Sequence, residues 1–208
     1  MKRGIAVILS ILSIVLLASC AKKNGGSAAD PADKGLRKIF ETVCSADEAL
    51  ALSRKSNIVV FETQGCTSGK ETWDAFYRTA MSGSPVAVLC AYYYTLDKAR
   101  MSEELYDKEK DEYPKLFFSL VEYDGKEYSV KTRESTAEAL DEQETFRYLL
   151  HFTGDAPSTA LYTSYDNYVL ADDPEATMEG IWEGLVSAKA GAGCRHCTVY
   201  RDCLGWKE

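Results

Sequence analysis

The residues of this chain best suited to chemistry are its cysteines, Cys20, Cys44, Cys66, Cys90, Cys194, Cys197 and Cys203. Cys20 stands apart. It follows an apolar run from Ile5 to Leu17 that begins after Lys2 and Arg3 and ends in the small residues Ala18 and Ser19. That order is a secretory signal with a small-residue cleavage site. Export carries the other cysteines to a compartment where disulfides persist. They allow many full pairings, and spacing does not choose among them. Cys194-x-x-Cys197 is close enough for a local bridge, but that bridge strands Cys203. Cys44 or Cys66 is then the natural partner, because Cys90 lies inside an apolar run that reads as core. The disulfide candidates are therefore Cys44, Cys66, Cys194, Cys197 and Cys203.

Leu17-Ala18-Ser19-Cys20 resembles a bacterial lipobox. The resemblance implies that residues 1–19 are removed and that Cys20 is thioether-linked to a diacylglycerol as the mature N-terminus. The protein is then expected on the extracytoplasmic face of the cell membrane, held by lipid. Each buried methylene contributes about 0.8 kcal/mol, and two chains hold where one binds only reversibly. A spanning anchor is the competing reading, but the apolar run falls short of the roughly 20 residues a span needs. Beyond this segment the chain is similar to uncharacterised lipoproteins of Gram-positive bacteria, a likeness that implies no activity.

Cys66 invites a second comparison. Val59 to Lys70, VVFETQGCTSGK, resembles the thioredoxin pattern of strand, then W-C-x-x-C-K, then helix. Pro114 before Leu116 to Val121, and the Asp124-Gly125 hairpin, resemble that family's cis-proline and closing hairpin. The resemblance implies a thiol-disulfide exchange protein with Cys66 as nucleophile at a helix N-terminus, where the dipole lowers a thiol pKa. The chain departs from the pattern at Gly65, the tryptophan position, and at Gly69, the resolving-cysteine position. After Thr145 it alternates as a strand does, where thioredoxin needs a helix.

Other chemistries are weaker. Gly65 to Lys70 echoes a phosphate loop, but a Walker A loop needs one more residue between its glycines and a hydroxyl after the lysine. Glu71 follows instead and would repel phosphate. Cys194, His196, Cys197 and Cys203 have the ligand types for zinc. His196 and Cys197 are adjacent, however, so disulfides suit that tail better. His151 is the only other histidine, and no nucleophile-elbow motif is present for Ser-His-Asp hydrolysis. The sequence calls for no metal and no cofactor.

The elements that must position these residues belong to a mature chain of 208 − 19 = 189 residues with formal charge −8 − 2 = −10. Such an acidic chain is a poor partner for nucleic acid. It is long enough for one cored domain and short for the two-lobed solute receptor of a transporter. Residues 20–34 read as a flexible tether and residues 35–208 as a single domain with a cysteine-rich tail. Leu36, Ile39, Phe40 and Val43 recur at helical spacing, and Ser45 with Glu48 forms a capping box opening a second helix. Ile58 to Phe61 reads as a buried strand, Gln64 to Thr67 as a turn, and Ser68 with Glu71 as a second capping box. Trp73, Phe76, Tyr77, Ala80 and Met81 line one helical face. Val86 to Thr95 is apolar on both alternating faces, which suits a central strand. Residues 97–112 read as an exposed helix or a polar crossover.

Leu116 to Tyr123 and Lys126 to Thr132 flank Asp124-Gly125, a two-residue type I′ signal. Phe146 to Phe152 and Ala160 to Leu170 complete the strands, and Asp173-Pro174 opens a last helix. The expected fold is α+β: a largely antiparallel sheet over about residues 86–170, with helices 36–53, 68–81 and 174–188 packed on it. A thioredoxin-like α/β fold is the alternative. The expected function is a noncatalytic module that binds a protein, peptide or envelope glycan, and its alternative is thiol-disulfide exchange through Cys66. The state of the cysteines separates the two.

Overall fold

The computed structural model describes residues 31–63, 65–186 and 193–207. Cys20, the signal segment and most of the tether lie outside the described residues. The fold is α+β, with helices α1 (Pro31–Phe40), α2 (Ala46–Lys55), α3 (Lys70–Met81), α4 (Glu103–Glu109) and α5 (Met178–Val186). The strands are β1 (Val59–Glu62), β2 (Gly65–Ser68), β3 (Val86–Tyr94), β4 (Lys115–Tyr123), β5 (Tyr128–Glu134), β6 (Glu142–Phe146), β7 (Tyr148–Asp155), β8 (Ser164–Ala171) and β9 (His196–Leu204).

The strands form two sheets rather than one. The larger is six-stranded, β2-β1-β3-β4-β5-β6, and the smaller is three-stranded, β7-β8-β9. Every pairing is antiparallel except β1 with β3. That parallel pair needs a crossover, and α3 supplies it. The sheet expected over residues 86–170 is therefore divided. It also gains β1 and β2 ahead of it, and the cysteine-rich tail enters the smaller sheet as β9.

Alternation along β3 explains the layering. Val88 and Cys90 face a core shared with Trp73, Phe76, Tyr168 and Tyr200, while Leu89 and Ala91 face one shared with Phe40, Leu50, Ile58 and Phe118. The larger sheet thus carries α1 and α2 on one face, and α3 with the smaller sheet on the other. A third cluster of Val169, Met178 and Ile181 holds α5 on the far face of the smaller sheet.

Local chemistry sets the helix starts in part. Ser45 caps α2 as expected, its hydroxyl accepting the Glu48 N–H while the Glu48 carboxylate accepts the Ser45 N–H. The capping box expected at Ser68 does not form: Gly69 is the N-cap of α3, left-handed at φ 79° and without a side-chain cap. Gly65 to Thr67, expected within a turn over Gln64 to Thr67, instead join Ser68 in β2 and pair with β1. Residues 97–112 break into α4 and two single turns of 3-10 helix at Lys98–Arg100 and Lys110–Glu112. Helix α1 takes in residues 31–34, which composition assigned to the tether, and α5 starts four residues after Pro174. Behind α1, buried Arg133 on β5 donates to the carbonyls of Phe40 and Thr42. A cation at a helix C-terminus satisfies carbonyls that have no partner within the helix.

The turn of the hairpin is centred one residue later than its signal. Tyr123 pairs with Tyr128, and the Asp124 N–H donates to the Glu127 carbonyl at 3.2 Å. Gly125 and Lys126 are therefore the central pair, and of these only Gly125 has positive φ, at 98°. The Asp124 carboxylate accepts the N–H groups of Lys126 and Glu127 at 2.8 and 2.9 Å, which displaces the type I′ turn.

The thioredoxin-like alternative is not the fold adopted. The Tyr113–Pro114 bond is cis, matching the position that suggested it. Where that family needs a helix after Thr145, however, the chain runs from β6 directly into β7.

Candidate functional site

Cys66 sits in β2, four residues before α3 begins, and its side chain packs against the core that contains Phe61, Trp73 and Tyr200. Its thiol donates to the Ser68 carbonyl at 3.4 Å, and its backbone N–H donates to Asp202 on β9 at 3.1 Å. Burial pushes the Cys66 thiol up from its ordinary range. The Tyr200 hydroxyl and Lys70 oppose that rise, and the Asp202 carboxylate adds to it. A nucleophilic cysteine needs the reverse, an electropositive and partly open setting. Around it, Lys70 Nζ lies 3.5 Å from the Tyr200 hydroxyl and 3.4 Å from Asp166, which also meets His151 Nε2 at 2.7 Å. The ring of His151 lies on Tyr168 with centroids 4.0 Å apart. His151 is thus a paired, stacked strand residue.

The other candidate cysteines are dispersed. Cys44, Cys66, Cys90, Cys194, Cys197 and Cys203 all stand as free thiols, so the structure brings no expected disulfide pair together. Cys90 is fully buried on β3, the core position its apolar run indicated. Burial raises the thiols of Cys44, Cys90 and Cys203, and pushes Cys197 up to about 11. The imidazole Nδ1 of His196 is 2.9 Å from the Cys194 carbonyl. Among the described residues no three His, Cys, Asp or Glu side chains converge as ligands for a metal ion.

The tyrosine-rich strands are mainly packing elements. Tyr92 stacks on Phe61 at 4.8 Å and donates its hydroxyl to the Val199 carbonyl at 2.8 Å, tying β3 to β9. Tyr168 and Tyr200 both abut Trp73.

The open surface with convergent polar groups lies elsewhere, where the two sheets join. Two adjoining clefts meet there. One, of about 470 Å³, is lined by Asp124, Lys126, Glu127, Arg147 and Tyr148. The other, of about 430 Å³, is lined by Glu127, Thr145, Phe146, Arg147, Asp172 and Arg195. Arg147 and Glu127 belong to both. Arg147 is the single residue between β6 and β7, and its neighbours Phe146 and Leu149 are both buried. That spacing of three breaks the alternation expected from Phe146 to Phe152. A change of strand phase turns side chains to the opposite face, so the junction presents Arg147 and Tyr148 to solvent. Arg195 closes the far wall. It pairs with Asp172 at 2.7 Å, donates to the Thr145 carbonyl at 2.8 Å, and lies 4.4 Å over the Phe146 ring.

Nothing in the sequence marked these cleft residues. Arg147 read as one member of a continuous alternating strand, and Arg195 is brought to Thr145 across a separation of 50 positions. No family model matches the chain, and no curated protein and no solved structure matches it either.

Proposed function

We propose that this protein is a lipid-anchored, extracytoplasmic binding module without catalytic chemistry, whose ligand-contacting surface is the double cleft around Arg147. The single observation that carries the reading is Arg147 itself. Its guanidinium makes no hydrogen bond or ion pair among the described residues, yet it lines both clefts at the junction of two sheets. Binding sites combine such uncommitted polar groups with a preformed concave surface. The anchor rests on Leu17-Ala18-Ser19-Cys20. No helix among the described residues is long and apolar enough to cross a membrane. The bound partner is a protein, a peptide or an envelope glycan.

Thiol-disulfide exchange through Cys66 is the competing reading, favoured by the order β1, Cys66, α3. Burial of the thiol and glycine at position 69 weigh against it: the motif's resolving cysteine, which would release a mixed disulfide at Cys66, is missing. Insulin reduction and dithiol oxidation by the full chain in detergent test the two. The module gives rates no higher than a free thiol. A rate well above that, lost in Cys66→Ser, overturns the module in favour of exchange.

A further inference from the structure

We infer that the double cleft selects a carboxylate-bearing sugar of a glycan, with Arg147 holding the carboxylate and Tyr148 the sugar face. This inference rests on the binding-module reading and names its ligand class. The charge at the cleft is the first argument. The chain is acidic, at −8 overall. Arg54 and Arg195 are each tied to a carboxylate, and Arg133 to main-chain carbonyls. Arg147 is not. The acids beside it are mostly committed: Asp124 to two backbone N–H groups of its own turn, and Asp172 to Arg195. Lys126 adds a second cation whose ammonium makes no hydrogen bond or ion pair among the described residues, though its charge also faces Asp124. Glu127 remains as the free acceptor. The Arg147 guanidinium is therefore open to an anion, and its planar fork matches a carboxylate through two parallel bonds.

Shape decides what carries the carboxylate. Strand β6 is the end strand of its sheet, so an extended peptide would be expected to add to its free edge. Arg195 lies across that edge, bonded to the Thr145 carbonyl and packed on the Phe146 ring. Strand addition is thereby obstructed, and recognition falls to side chains. Tyr148 is 38% exposed beside Arg147. Its ring can offer a flat apolar wall to the C–H face of a pyranose, while Glu127 and Lys126 in the same lining supply an acceptor and a donor for ring hydroxyls.

The experiment is a titration of the full chain in detergent with tri-galacturonate, its methyl ester and an acidic tripeptide, by calorimetry. Tri-galacturonate is expected to bind at least about tenfold more tightly than its ester, as loss of one charge-assisted pair implies. Arg147→Ala should weaken it by about tenfold or more, and Arg147→Lys should restore only part. Tyr148→Ala should weaken the acid and the ester alike. Equal binding of acid and ester, indifference to Arg147→Ala, or no binding of tri-galacturonate overturns the inference. Binding of the tripeptide in place of the uronide, lost in Arg147→Ala, overturns the sugar class and leaves the module reading standing. Turnover dependent on Cys66 overturns the module reading without bearing on these titrations. Arg147 is exposed, so thermal melting of each variant should match the parent and confirm that folding is unchanged.

Discussion

The carboxylate of Asp202 accepts the backbone N–H of Cys66 at 3.1 Å, joining an edge strand of one sheet to an edge strand of the other across 136 positions of sequence. The same carboxylate raises the Cys66 thiol, in addition to burial. A negative charge beside a thiol disfavours the thiolate.

Cys66 should therefore be alkylated by iodoacetamide more slowly than a free cysteine at pH 8. Asp202→Asn keeps an acceptor and removes the charge. It should move the pH midpoint of alkylation downward and speed labelling at pH 8. Peptide-resolved mass spectrometry across a pH series measures this, with melting curves to confirm an intact fold. An unchanged or higher midpoint would refute the electrostatic role of Asp202.

Gly69 admits no side chain. At φ 79°, an added Cβ would sit 2.4 Å from the Ile58 carbonyl oxygen and 2.7 Å from the Val59 Cα. The left-handed backbone alone costs an L-residue roughly 1–2 kcal/mol, and here the clash is with backbone that cannot swing aside. Gly69→Ala should destabilise the domain by more than about 2 kcal/mol, measured by urea unfolding. A loss below 1 kcal/mol, on the same backbone scale, would show that β1 and the start of α3 are not packed this closely.

Asp124 predicts a pH dependence with a definite sign. Its carboxylate accepts the N–H groups of Glu127 and Lys126, and these bonds hold it below the usual carboxylate range. A depressed folded pKa stabilises the folded state above the unfolded value near 3.9 and loses that effect as pH falls through the folded value. The stability gap between the parent and Asp124→Ala should be constant from neutral pH to about 5 and then close on further acidification. A gap independent of pH down to the acid limb would contradict the turn as described.

Lipidation at Cys20 has its own test. Cys20→Ser should move the protein from the membrane fraction to soluble protein or uncleaved precursor. Mature Cys20→Ser product that still partitions into detergent would exclude the diacyl anchor.

Much of the local structure was legible in the chain. The capping box at Ser45, the apolar stripe of Trp73, Phe76 and Ala80, and the two-faced strand through Cys90 are signals carried by neighbouring residues, and they formed as their periods required. The hairpin was legible in existence but not in register, because Asp124 competes for its own turn's amides. Tertiary structure decided the rest. Residues 146–152 alternate without a break in sequence, yet the chain leaves one sheet and enters another at Arg147. The small sheet packs through Tyr168 and Tyr200 onto Trp73, which buries Phe146 and Leu149 on either side of that junction. No local pattern encodes such a choice, since alternation fixes which residues share a face only while the strand stays in one sheet. The cleft around Arg147 exists because strands far apart in sequence were brought to that junction.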